Sequence, residues 1–296
     1  MSHPAIDANT CVVRDTASRR GRHISVKPGA TAAQHLHYGR IVLQDESISF
    51  DTEDRETALI CLKGNAVVEA GPRVLGSSGP RDVSATVPPE DPRARGPEDH
   101  VYELTPYDAL YLPRDTQVTV SGTCDLAEVA APVEGTYPLQ FVRFADVQND
   151  PALHFDTGGT SSQRTLNILI GKNIEAGRIL AGVTFSKPGN WTSWPPHEHA
   201  QLAEEAYLYI DMPEPGWGLQ LVYTDPRNPE LVAVVKQDDV VIMPQGYHPN
   251  VSAPGGTINF LWMMAANRED VDRQFGVVNV QPEYAQGGSG LEASRK

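Results

Sequence analysis

Short apolar runs recur along the chain, each cut off by Gly, Pro, Asp or Asn. In the first half they are Ile41–Leu43, Ala58–Leu62, Ala66–Val68, Ala109–Leu112, Val118–Val120 and Leu126–Ala130. In the second half they are Ile179–Phe185, Glu205–Ile210, Leu219–Tyr223, Leu231–Val235, Val240–Met243 and Ile258–Met263. No long segment repeats its apolar residues with a helical period. Short runs between turn formers predict strands, and many of them at close spacing predict an all-β sandwich or barrel.

The pattern also repeats. Tyr107-Asp-Ala-Leu-Tyr-Leu-Pro-Arg-Asp115 is echoed by Gln237-Asp-Asp-Val-Val-Ile-Met-Pro-Gln-Gly246. In both, a polar turn leads into an apolar strand that ends at a proline. Two similar β domains in tandem are the simplest reading. The turn-rich stretch Gln148–Ser162 predicts the boundary. The expected division is a tail over 1–22, a first domain over 23–147, a linker over 148–162, a second domain over 163–280 and a tail over 281–296. Residues 71–99 are dense in Pro, Gly, Arg and Asp and predict a long surface loop.

Charge narrows the class of partner. Asp and Glu outnumber Lys and Arg by 38 to 24, a formal net charge of −14. Nucleic acid and anionic membranes both require basic surface, so neither is an expected partner. A small anionic substrate remains open, because one or two arginines can hold a carboxylate in an acidic protein. Cys11, Cys61 and Cys124 are widely spaced with no CxxC, which predicts neither disulfides nor a zinc knuckle. There is no apolar run of membrane-spanning length and no apolar core near the N-terminus. The expected location is the reducing cytoplasm.

One stretch concentrates chemistry: Trp194-Pro-Pro-His-Glu-His-Ala-Gln-Leu-Ala-Glu-Glu-Ala-Tyr-Leu-Tyr209. On a strand His197 and His199 share a face, about 7 Å apart by the rise per residue, and both can reach one metal ion. A carboxylate from the next strand, Glu204 or Glu205, can join them. Glu205 shares its face with Tyr207 and Tyr209, whereas Glu204 shares its face with Ala206 and Leu208. A polar cavity therefore favours Glu205. A third imidazole, His248, follows the strand Val240–Met243 in Gly246-Tyr-His-Pro249. Three His and one Glu suit Mn, Fe, Ni or Zn. Four protein ligands leave open positions only on a five- or six-coordinate ion, which favours Mn, Fe or Ni for catalysis; a closed tetrahedral Zn is structural in character. The other HxH, His35 and His37, has no Glu on a matching strand and no later His to complete it. With His3, His23, His100 and His154 it reads as unrelated to the site.

These residues resemble a known family. Pro188-Gly-Asn-Trp191, Pro195-Pro-His-Glu-His199, Glu204-Glu-Ala-Tyr-Leu-Tyr209, Gln220-Leu-Val-Tyr223 and Gly246-Tyr-His-Pro249 are similar to the bicupin sugar isomerases, which include 5-deoxy-glucuronate isomerase and 5-keto-4-deoxyuronate isomerase. In the first half, Glu56–Gly64, Tyr107–Val120 and Ala131–Gly135 look like the degenerate N-terminal cupin. The resemblance runs from about Tyr38 to about Ala266. It implies two tandem cupin jelly rolls, with metal ligands His197, His199, Glu205 and His248 in the second. The first half carries no metal set and has a structural role, which includes a possible oligomer interface; a homo-oligomer is expected.

The implied reaction is aldose–ketose isomerisation of a uronate-like sugar acid, 5-deoxy-glucuronate in inositol catabolism, with a divalent metal as Lewis acid. Candidate bases are Glu205, Tyr207 and Tyr209. Arg164 and Arg268 are candidates for the substrate carboxylate, Gln220 and Tyr247 for other substrate contacts. Trp262 is a further candidate for the pocket lining, and Trp191 and Trp194 for the cavity mouth. The chain departs from the family at Leu221, where Arg is usual, at Met263–Ala266, and at Asn267–Phe275, which lacks the family's histidines. Ala85–Asp99 looks like an insertion. These departures bear on the substrate, not on the metal ligands. Two other readings share the ligand set: a metal-dependent cupin oxygenase, and a sugar-acid binding protein without turnover.

Overall fold

The computed structural model describes residues 3–72 and 100–285. Segment 73–99, which holds the insertion Ala85–Asp99 and most of the expected surface loop, lies outside the described residues. So does the end of the tail, 286–296. The fold is all-β apart from the short helices Ala8–Cys11 and Phe144–Asn149 and one 3-10 turn. Among the described residues no helix is long and apolar enough to cross a membrane.

Two tandem jelly rolls of the cupin type account for the chain. In the first, the antiparallel order is Gly21–Val26, His37–Asp51, Thr116–Pro132, Arg55–Pro72, Ala109–Leu112 and Gln140–Val142, with His100–Leu104 also paired to Arg55–Pro72. Register shifts at Gln44/Glu46 and Cys61/Lys63 bend the long strands. In the second, a seven-stranded sheet runs Val12–Val13, Val240–Met243, Ala203–Ile210, Asn259–Ala266, Ile179–Ser186, Arg164–Ile170 and His154–Thr157. A four-stranded sheet, Trp191–Thr192, Asn250–Ser252, Gly218–Val222 and Leu231–Val235, completes it.

The apolar run Ala58–Leu62 does not alternate because both of its faces are buried. Leu59 and Cys61 pack with Ile41, Val68, Leu110 and Leu126 inside the first jelly roll. Ala58 and Ile60 point the other way, into a core shared with Ile168, Ile170, Ile179 and Val183 of the second.

The sequence echo is a backbone repeat. Tyr107 (φ 70°) and Asp238 (φ 67°) both take the left-handed conformation that opens the turn. In each copy the following aspartate accepts the backbone N–H three residues earlier: Asp108 from Thr105 at 2.9 Å, Asp239 from Lys236 at 3.0 Å. The register agrees as well. Thr57 pairs with Leu112 as Glu205 pairs with Met243, and Leu112 and Met243 each precede the closing proline.

Carboxylates tie the halves together. Glu56, fully buried, accepts N–H bonds from Gly177, Arg178 and Ile179 at 2.7, 2.6 and 2.7 Å, and the Tyr111 hydroxyl at 2.6 Å. Glu204 reciprocates, accepting from Gln34, His35 and Leu36 at 2.6, 2.6 and 2.5 Å. Glu269 accepts from Glu134 N, Gly135 N and the Tyr137 hydroxyl at 2.7, 2.8 and 2.7 Å.

Two stretches expected as tail and linker carry structure. Residues 1–22 contribute the edge strand Val12–Val13 to the second sheet, where Arg14 pairs with Asp239 at 2.6 Å. The segment 148–162 contributes the opposite edge, His154–Thr157. The expected tail over 281–296 begins with packed residues, since Gln281 accepts the buried Tyr223 hydroxyl at 2.7 Å.

Candidate metal centre

Strand Ala203–Ile210 lies between Val240–Met243 and Asn259–Ala266 and is buried along its whole length. Alternation sends Glu204 out to the first jelly roll and turns Glu205 and Tyr207 into the interior of the second. His197 enters on the two-residue strand His197–Glu198, paired to Asn279–Val280. His199 lies beyond that strand, at a turn whose closing bonds run from Leu202 N and Ala203 N to His199 O at 2.8 and 3.0 Å. His248 follows Gly246, whose φ of +87° and closeness to Tyr223 O, 2.7 Å from where a Cβ would stand, require glycine.

The three rings converge, with centroids 4.8, 5.3 and 6.1 Å apart. One nitrogen from each lies within 4.8 Å of the other two. Glu205 Oε2 sits 3.0 Å from His199 Nε2 and 3.1 Å from His248 Nε2.

Each Nδ1 faces a backbone carbonyl: His197 that of Pro195 at 2.9 Å, His199 that of Ala203 at 3.0 Å, His248 that of Gly246 at 2.9 Å. A carbonyl only accepts, so every Nδ1 carries the proton and every neutral ring turns a bare Nε2 inward. His248 Nε2 is buried with no hydrogen-bond partner. Three lone pairs thus meet a carboxylate whose one hydroxyl donor among the described residues is Tyr207, at 3.3 Å, an arrangement that one metal cation satisfies.

The electrostatics agree. Burial, then the neighbouring His248 and His199, push His197 down to about 3. Burial alone would raise the Glu205 carboxyl, but the adjacent His199 and His248 hold it well below the usual carboxylate range. Burial lowers His199, and Glu205 beside it more than restores it, so the net shift is upward.

A pocket of about 80 Å³ opens beside these residues. Its lining includes His197, His199, Glu205, Tyr207, Ser193 and Arg164. Tyr207 Oη lies 2.7 Å from Ser193 Oγ and 3.3 Å from Glu205 Oε2. Burial, then Glu205, raise its pKa well above the usual phenol range. Arg164 is buried and donates to two carbonyls, Ser162 O and Trp194 O, both at 2.8 Å. No carboxylate among the described residues pairs with it, and burial lowers its pKa to about 10.

The other candidates lie elsewhere. Tyr209 donates to Gln220 Oε1 at 2.6 Å, and Gln220 Nε2 donates to His248 O at 2.9 Å. Both are buried behind His248, which they position. Tyr247 packs on Tyr223, ring centroids 5.7 Å apart. Arg268 is exposed and pairs with Asp272 at 2.6 Å, away from the pocket. Trp262 does line the pocket, stacked on Phe275 at 5.1 Å. Trp191 and Trp194 pack in a tilted arrangement, ring centroids 5.3 Å apart, beside a separate groove. Sequence reasoning missed Ser193 and the outer wall of Phe275, Gly276 and Val278, which follow no β pattern.

Comparison with known proteins agrees with this architecture. A 5-deoxy-glucuronate isomerase from Geobacillus kaustophilus is 32% identical over 251 residues, covering 81% of this chain and 82% of that protein. The crystal structure of an IolB-like protein from Salmonella typhimurium superposes with a TM-score of 0.74 at 22% identity, covering 93% of this chain and 98% of the other. Oxalate decarboxylase from Bacillus subtilis, an S161A mutant, shares the fold at a TM-score of 0.58 and 10% identity, covering 91% and 80%. The KduI/IolB family model matches residues 11–279. Matched over nearly its whole length, the chain belongs to the KduI/IolB family.

Proposed function

We propose that this protein is a metal-dependent 5-deoxy-glucuronate isomerase, converting the aldose to the ketose. One observation carries the reading: His197, His199 and Glu205 of the buried acceptor set, and a buried guanidinium with no carboxylate partner among the described residues, open onto the same pocket. Its relatives at about this level of identity are named for that reaction. The proposed setting is inositol catabolism in the cytoplasm.

His197, His199, Glu205 and His248 are the proposed ligands of one divalent ion, Mn, Fe, Ni or Zn. When bound, the ion supplies Lewis acidity to the sugar's carbonyl and neighbouring hydroxyl. Isomerisation breaks the C2–H bond and forms a C1–H bond, while the C2 hydroxyl proton passes to the C1 oxygen. Glu205 is the one carboxylate in the pocket lining among the described residues, so it is the proposed base that takes the proton at C2 and returns it at C1. Tyr207 keeps its proton at neutral pH and acts as a hydrogen-bond donor that holds the C1 or C2 oxygen in place. Arg164 receives the substrate carboxylate, and desolvation strengthens that pair. Leu166, Phe260 and Met264 form an apolar wall suited to the CH₂ at C5.

At about 80 Å³, the pocket has room for roughly three waters at about 30 Å³ each. A six-carbon acid needs more, so the proposal has the Phe275–Val278 wall yield on binding. The deciding experiment follows 5-deoxy-glucuronate by NMR in D₂O with the metal-loaded protein. Ketose formation that vanishes in His197→Ala supports the reading. No turnover of this or any other uronate by a metal-loaded protein overturns it.

A further inference from the structure

The strand Leu231–Val235 is the outer edge of the four-stranded sheet; among the described residues no strand pairs with its free side, where the Arg14 guanidinium donates to Val234 O at 2.6 Å. Its burial alternates: Leu231, Ala233 and Val235 face the core, while Val232 and Val234 are 55% and 51% exposed. An edge strand with two exposed valines is a template for pairing with another chain, and such pairing exchanges the exposed Arg14 at Val234 O for the partner's Val232 N–H.

The segment is its own complement. Glu230-Leu-Val-Ala-Val-Val-Lys236, laid antiparallel on a second copy about Ala233, sets Val232 opposite the partner's Val234 and Leu231 opposite the partner's Val235. Glu230 then meets the partner's Lys236 at both ends. The pairing preserves the faces, because Ala233 opposite itself keeps every inward residue inward. In the single chain Lys236 holds only an exposed pair with Glu214 at 3.1 Å, easily exchanged. Glu230 accepts from Thr224 N at 3.0 Å and from the Thr224 hydroxyl, and remains exposed, each oxygen keeping a second lone pair for a lysine. Leu219 and Leu221, opposite Val234 and Val232 on the neighbouring strand, extend the apolar face inward from the seam.

From this we infer that a second copy of the chain pairs through Leu231–Val235 about a two-fold axis at Ala233, joining two four-stranded sheets into one. The interface is isologous, so it closes on two copies.

Light scattering and cysteine cross-linking test it on the full-length protein. The expected mass is an even multiple of the 32.2 kDa chain at tens of micromolar. It should halve in Val232→Lys/Val234→Lys, whose substitutions are on exposed positions, with the circular dichroism spectrum unchanged. Directly opposed residues lie about 4.5–5.5 Å apart at Cα, within disulfide range. A mixture of Val232→Cys chains and Val234→Cys chains should therefore oxidise to a covalent dimer several-fold faster than either alone. The native cysteines are buried and do not compete. A monomer, a mass unchanged by the lysine pair, or cross-linking no faster in the mixture than in the separate chains overturns the inference. None of these readouts depends on turnover, so its failure is distinct from failure of the isomerase reading.

Discussion

Glu204 and Glu205 are adjacent, both buried and both carboxylates, yet the fold gives them opposite tasks, and glutamine substitutions should separate them. Glu204 accepts three backbone N–H groups from residues 34–36. Glutamine keeps one acceptor oxygen and turns an NH₂ toward the remaining donors, so at least one buried N–H loses its partner. A bond to a charged acceptor contributes about 1.5–3 kcal/mol, and a stranded buried donor costs about 1–3 kcal/mol. Burial pushes the Glu204 carboxyl up against its three N–H bonds, so part of the carboxylate's benefit is already spent on desolvation. The lower part of the range is the better figure, about 1–2 kcal/mol for Glu204→Gln. At roughly 2–4 °C per kcal/mol for a chain of this class, the melting temperature should fall by about 2–8 °C.

Glu205→Gln removes the only anion among three imidazoles. Substitutions one shell further from a metal already cost about 10–100-fold in affinity. A ligand replaced by a neutral group should therefore cost more than about 100-fold. Calorimetric titration with Mn or Zn, paired with thermal melts of the apoprotein, reads both effects. The expected result is a crossed pattern: Glu204→Gln less stable with metal binding retained, Glu205→Gln near wild-type stability without tight metal binding. Loss of metal in Glu204→Gln with retention in Glu205→Gln would refute the assignment. An unchanged melt for Glu204→Gln would show that the clasp contributes no stability.

His248→Ala should abolish binding of one divalent ion per chain by elemental analysis, and chelation should lower the wild-type melting temperature but not that of the variant; a chelator-insensitive wild type would argue against a resident ion. Arg164→Met should lower kcat/KM for the sugar acid by about 100-fold, as expected when one partner of a buried charge pair is lost, and change turnover of its methyl ester little. An equal loss on both substrates would make Arg164 a scaffold residue. Burial of Glu269 works against its charge, but the bonds from Glu134, Tyr137 and Gly135 hold its carboxyl below the usual value. The unfolded chain then binds the proton first, so this stability is complete above about pH 4.3 and fades as pH falls through the lower folded value. Urea midpoints should decline more gently in that window for Glu269→Gln, and parallel curves would exclude the effect.

The convergence of His197, His199, Glu205 and His248 was legible because alternation along a strand is a strict rule. Glu205 was separable from Glu204 by the company each keeps. The two histidines that the rule paired do converge, through a geometry it did not describe, since His199 lies on a turn and is aimed by the carbonyl of Ala203. Depth was less legible. Tyr209 and Gln220 are polar residues of the interior, but nothing local reveals that they bond each other behind His248 rather than face substrate. Arg268 was misread although Asp272, four residues on, is a visible partner.

The clasps had a signal that the internal repeat could have supplied. Glu56-Thr-Ala in the first half matches Glu204-Glu-Ala in the second, and the register sets Thr57 where Glu205 stands. A glutamate present in both copies belongs to what the copies share, which is their mutual docking. The residue that differs belongs to what only one copy does. On that argument Glu204 is the clasp, Glu205 is the proposed ligand, and the threonine at position 57 is one reason no second metal set gathers among the described residues of the first jelly roll.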